Sequence, residues 1–100
     1  MKIYKNKDLT AEIKDNTLDF GIVPAGELKR FTYYVYNEKE AYLKNLKFEI
    51  KHDEVRIAEY PTELKSKEIK RLIIEWKPSI TLKSGLRAAF LVTGIELWGA

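Results

Sequence analysis

Apolar and polar residues alternate with a period of two along most of this chain, and that period decides the fold class. Successive side chains on a β-strand point to opposite faces, whereas a helix needs apolar residues three and four apart. Glu27–Asn37 is the clearest case, rich in aromatic and β-branched residues. Its parity turns Phe31, Tyr33 and Val35 inward and Arg30, Thr32, Tyr34 and Tyr36 outward. Leu43–Lys51 repeats the pattern, with Leu46, Phe48 and Ile50 on one face and Lys47, Glu49 and Lys51 on the other. In Ile69–Lys77, Leu72, Ile74 and Trp76 are expected inside, and Lys70, Ile73, Glu75 and Lys77 outside. No stretch of helical length carries the helical period.

Turn signals divide the rest. Met1–Lys5 reads as a short edge strand, or the first eight residues form a flexible arm. Leu9–Lys14 alternates weakly. Thr17–Phe20 is a strand closed by Gly21, and Pro24 and Gly26 mark the turn that follows. Asn37-Glu38-Lys39-Glu40 and Ser66-Lys67-Glu68 are polar turns. Val55–Tyr60 is stopped by Pro61, and Pro78 ends the strand before it, as a residue that cannot donate to a ladder should. Thr93-Gly94, inside Leu86–Ala100, is either a tight turn or a bulge. About seven short strands result. They predict an all-β fold, an immunoglobulin-like antiparallel β-sandwich, with residues 1–100 as one domain.

Composition removes several function classes. There is no cysteine, so disulfides, thiolate metal sites and a cysteine nucleophile are excluded. Lysine supplies 14 of the 18 basic residues and arginine only 4. Nucleic-acid readers lean on arginine for bidentate contacts, and the charges here are mixed along the chain, so no specific nucleic-acid partner is expected. No apolar run is long enough to span a membrane. The charged N-terminus lacks a signal-peptide core, so synthesis in the cytoplasm is expected, with incorporation into a virion as the destination considered below.

The run Leu18-Asp19-Phe20-Gly21-Ile22-Val23-Pro24-Ala25-Gly26-Glu27, followed by Phe31, Tyr33, Val35 and Asn37, resembles the opening of the immunoglobulin-like ASH domains and the related major-sperm-protein-like folds. Pro61 to Leu64, then Leu72, Ile74, Trp76 and Pro78, resembles their middle, and Ile95, Leu97 and Gly99 their closing strand. The likeness spans roughly residues 17–99. It makes Phe20, Gly21, Gly26, Phe31, Asn37, Trp76 and Pro78 fold-defining, and it implies a module without catalytic chemistry. One departure is the turn Glu38-Lys39-Glu40, where such domains often carry a glycine.

Little in the chain carries chemistry. His52 is the only histidine, and Asp53 and Glu54 beside it point to opposite faces if the strand continues; an exposed loop histidine is expected. Asp15-Asn16 and Asp53-Glu54 lack metal-loop spacing, and no phosphate-binding loop or nucleophile elbow is present. No enzyme activity, cofactor, metal or small-molecule ligand is expected. The outward aromatics remain. Tyr34, Tyr36 and Ile73 are expected side by side on one outer face, with Trp98 as a further contact residue, and such residues are enriched at protein interfaces. The reading that follows is a structural assembly protein with protein partners in many copies, in the first place a bacteriophage virion component such as a capsid decoration or a tail or baseplate accessory. A cytoplasmic scaffold or adaptor is the second, and a carbohydrate-binding module stacking sugars on Tyr34, Tyr36 and Trp98 the third.

Overall fold

The alternating segments pair into two antiparallel sheets in a computed structural model that describes residues 1–99. Eight strands form: β1 (Lys2–Tyr4), β2 (Glu12–Ile13), β3 (Thr17–Gly21), β4 (Lys29–Tyr36), β5 (Tyr42–Ile50), β6 (Val55–Glu59), β7 (Ile69–Trp76) and β8 (Leu86–Leu97). The larger sheet has the order β2-β1-β4-β7-β6 and the smaller the order β3-β8-β5. Among the described residues there is no helix. The protein is an antiparallel β-sandwich.

The apolar row of each strand meets its counterpart between the sheets. Tyr33, Val35, Leu72, Ile74 and Trp76 come from the larger sheet; Leu18, Phe20, Leu43, Leu46, Phe48, Leu86, Ala88 and Phe90 come from the smaller. Trp76 is wholly buried, and Phe20 packs against it and against Phe31 at ring-centroid distances of 6.2 and 4.8 Å. Burying a side chain of this size stabilises by roughly 1.5–3 kcal/mol. Phe31, nearer the end of its strand, is only half-buried. Gly26, with φ of +82°, adopts a conformation costly for other residues and donates its N–H to the Pro78 carbonyl at 2.8 Å. The turn before β4 is thereby tied to the turn after β7.

In the immunoglobulin plan one sheet runs A-B-E-D and the other C-F-G. Here β1-β4-β7-β6 reproduces the first sheet, and β5-β8 the first two places of the second. The third place is held by β3, which pairs with β8 only along Leu86–Ala89.

Several expectations change. β1 is not an edge strand or an arm: β2 pairs outside it, and Ile3 reaches the core. Lys70 does not face outward. It shares the parity of Leu72 and sits opposite Val35, at the end of the sandwich, where its ammonium donates to the Glu63 carbonyl at 3.2 Å. Arg71 takes the outward place. The Thr93-Gly94 alternatives resolve to one continuous strand whose irregularity lies in its partner. Between Lys44 and Lys47 the β5 register slips, and Asn45 has φ of +53°. His52 is half-buried, its ring edge-on to Trp76 at 6.5 Å.

Candidate protein-binding site

The outer face of the larger sheet holds three of the four expected contact residues, but in separate rows. Register sets Tyr36 against Ile69, Tyr34 against Arg71 and Thr32 against Ile73. Tyr4 of β1 flanks Tyr34 on its other side. Tyr34, Tyr36 and Ile73 are each half-buried by these neighbours. Ion pairs cross the same face: Arg71 with Glu59 at 3.2 Å, Lys2 with Glu12 at 3.8 Å, and Glu75 between Arg30 (2.7 Å) and Arg56. Arg30 first, and then Arg56, holds the Glu75 carboxyl below its ordinary range by hydrogen bonding. The result is a face whose charges are matched within itself, and whose aromatic bodies are already covered by cross-strand packing. Ile69, 42% exposed, is the most open large apolar side chain here, beside Tyr36.

Trp98 lies elsewhere. It follows β8, in the smaller sheet, so Tyr34, Tyr36 and Trp98 share no face and form no joint stacking platform. Its indole is 62% exposed and donates to Glu96 at 3.0 Å. Lys39 pairs with the same carboxylate and, with that indole bond, keeps it below its ordinary pKa. Along β8, Leu86, Ala88, Phe90 and Val92 point inward, so the opposite parity turns Leu91, Ile95 and Leu97 outward. These three are 48%, 49% and 43% exposed. They make an exposed apolar row on the outer face of β8, and Trp98 stands just past its end, turned to Glu96. Across from it, Tyr42 faces Leu97 and Lys44 faces Ile95, the Lys44 ammonium lying 5.2 Å from the Tyr42 ring centre. Sequence reasoning passed over Leu91, Ile95 and Leu97 as site residues, although the alternation of β8 carries the signal.

A groove of about 530 Å³ runs beside this same half of β8. Its walls come from β1 and β2 on one side and from Phe90 to Glu96 on the other, with Leu43 and Leu46 beneath. Phe90 donates its N–H to the Asn16 carbonyl at 2.9 Å, where the chain enters β3. Beyond that point β3 no longer accompanies β8.

His52 accepts at Nδ1 from the Glu54 N–H at 3.2 Å, and Glu54 in turn accepts from the Ser79 N–H at 3.1 Å. Among the described residues no three histidine or acidic side chains converge to hold a metal ion. Comparison with protein-family models, with curated proteins and with solved structures finds no match for this chain.

Proposed function

We propose that this chain is a non-enzymatic module that binds another protein, and that it works in an assembly containing many copies. The observation that supports this reading is the exposed row Leu91, Ile95 and Leu97 on the outer face of β8, with the exposed Trp98 just beyond the end of the strand. Apolar residues gathered in this way on a small domain mark partner surfaces, and tryptophan is enriched where binding energy concentrates. A twelve-residue strand paired on β5 presents them on a stiff support, which lowers the ordering cost of association. A module with one such surface gains most where many copies sit on a lattice, because modest contacts then add by avidity. A bacteriophage virion, with the chain as capsid decoration or tail or baseplate accessory, is the setting we propose. Kinship with the ASH and major-sperm-protein-like domains belongs to the same proposal and rests on the motif around Phe20, Gly21, Gly26 and Asn37. A cytoplasmic adaptor is the second reading, favoured by the uncovered edge of β8.

Size fractionation of the native source, with detection of the chain, tests the proposal. Wild type is expected to migrate with a large assembly. The double variant Ile95→Glu, Leu97→Glu, once shown to be folded by circular dichroism, is expected in the free fraction. Wild type found only in the free fraction refutes the assembly reading.

A further inference from the structure

We infer that the uncovered half of β8 receives an extended segment donated by a partner protein, which completes the smaller sheet as its missing strand. This deepens the reading above and rests on its protein-binding half.

The main chain of β8 states what it needs. Ala89 aims its carbonyl at the Lys51 N–H on the β5 side (3.2 Å), while Phe90 aims its N–H at Asn16 on the opposite side. In an antiparallel ladder these directions alternate residue by residue. Val92, Gly94 and Glu96 therefore turn their N–H and C=O groups away from β5, toward the groove. A row of main-chain groups spaced by two residues is matched only by another extended backbone, which is how sheet edges take peptides.

The space fits one strand. The larger sheet has five strands and the smaller three, so β1 and β2 overhang the empty place. Ile3, Ile13, Leu43, Leu46, Phe90 and Val92 line it, and Ile13 and Val92 remain half-buried although they pack on the core. A strand lying in line with β3 turns every second side chain into this lining, so those side chains are apolar. The rim sets the remaining character. Lys2 and Lys14 stand among Glu12, Asp15 and Glu96; Lys2 is paired with Glu12 and Glu96 with Lys39. Such a balanced rim gives no attraction for a polyanion or a strongly charged peptide, and it matches a segment of little net charge. A second copy pairing β8 with β8 brings its own overhanging β1 and β2 into the same space, whereas a single segment brings none.

The probe is a displayed library of short random peptides selected on the immobilised full chain, followed by amide hydrogen exchange with the recovered peptides. The expected peptides alternate apolar and polar residues. With peptide bound, the Val92, Gly94 and Glu96 amides exchange about tenfold slower or more, equivalent to about 1.4 kcal/mol of added protection, while those on the β6 edge do not change. Glu96→Pro removes one groove-facing N–H without touching the β5 ladder and is expected to abolish binding; Glu96→Gln is expected to retain it. Selection without alternation, or binders that leave the three amides unchanged, overturns the inference. So does protection that grows with protein concentration in the absence of peptide, which identifies a second copy as the occupant. Amides that close on peptide while the native chain stays in the free size fraction support strand addition and refute the multi-copy setting. The opposite pair of results refutes strand addition alone.

Discussion

Asn37 ties more of the molecule together than its place at a strand end implies. Its side-chain amide donates to the nearby Ala41 carbonyl at 2.8 Å. Its amide also donates to the carbonyls of Leu64 and Lys65, at 3.2 and 3.0 Å, and its side-chain oxygen accepts from the Lys39 N–H at 3.1 Å. The residue is fully buried. These bonds explain how the Glu38-Lys39-Glu40 turn dispenses with a glycine: no residue in it needs a positive φ, because Asn37 holds both flanks. Asn37→Ala takes the donor from the Ala41 carbonyl and the acceptor from the Lys39 N–H, while the Leu64 and Lys65 carbonyls keep the N–H groups of Leu43 and Glu68; the cost is about 1–3 kcal/mol for a buried group left unpaired. Urea denaturation is expected to show a loss of at least the lower figure, with an unchanged slope. Glu75 gives a second prediction. Its carboxyl is held below the ordinary range by Arg30 and Arg56, so the folded state binds its proton less tightly than the unfolded chain. Its contribution is therefore present above the ordinary carboxyl value, about pH 4, and is lost as pH falls through the lower folded value. Denaturation midpoints measured across that window are expected to fall less steeply in Glu75→Gln than in wild type.

At the scale of the strand, the register slip in β5 decides which of its own residues face the core. Leu43 and Leu46 both reach the core although they are three residues apart, which a strict period of two forbids. The extra residue at Asn45 restores the parity, and Gly94 opposite makes room for it. A Cβ at Gly94 would stand 2.7 Å from Leu46 Cδ2 and 3.1 Å from the Lys44 carbonyl oxygen. Gly94→Ala is thus expected to cost about 1–3 kcal/mol by overpacking, read by thermal or urea unfolding. The two leucines were the visible signal of this bulge, and it was missed because alternation was counted from Leu46 onward. The parity of β4 and β7 was legible, since Phe31, Tyr33, Val35, Leu72, Ile74 and Trp76 all follow one unbroken period. What periodicity could not supply was register: that Tyr34 meets Arg71, and Tyr36 meets Ile69, depends on where two distant strands align. Depth also escapes a period. Trp76→Ala is expected to cost about 3–5 kcal/mol, as for a fully buried large ring, and Phe31→Ala measurably less because Phe31 keeps part of its surface in water.

For the whole molecule, the strand order has a consequence in time. Among the described residues only β1 with β2, and β6 with β7, pair as sequence neighbours. Every other ladder joins distant parts of the chain: Arg30 finds Glu75, and Thr17 finds Ala89. Long loops must close before either sheet gains much buried surface, so little of the chain can collapse early into native form. Refolding by dilution from denaturant is expected in the millisecond-to-second range typical of such topologies, rather than in microseconds. Stopped-flow tryptophan fluorescence, with Trp76 reporting the core, measures it directly. A nascent chain must therefore emit nearly all of β8 before β3 and β5 acquire their common neighbour, and until then both wait with main-chain groups bare. Production at low temperature or alongside a holdase is the practical answer to that delay.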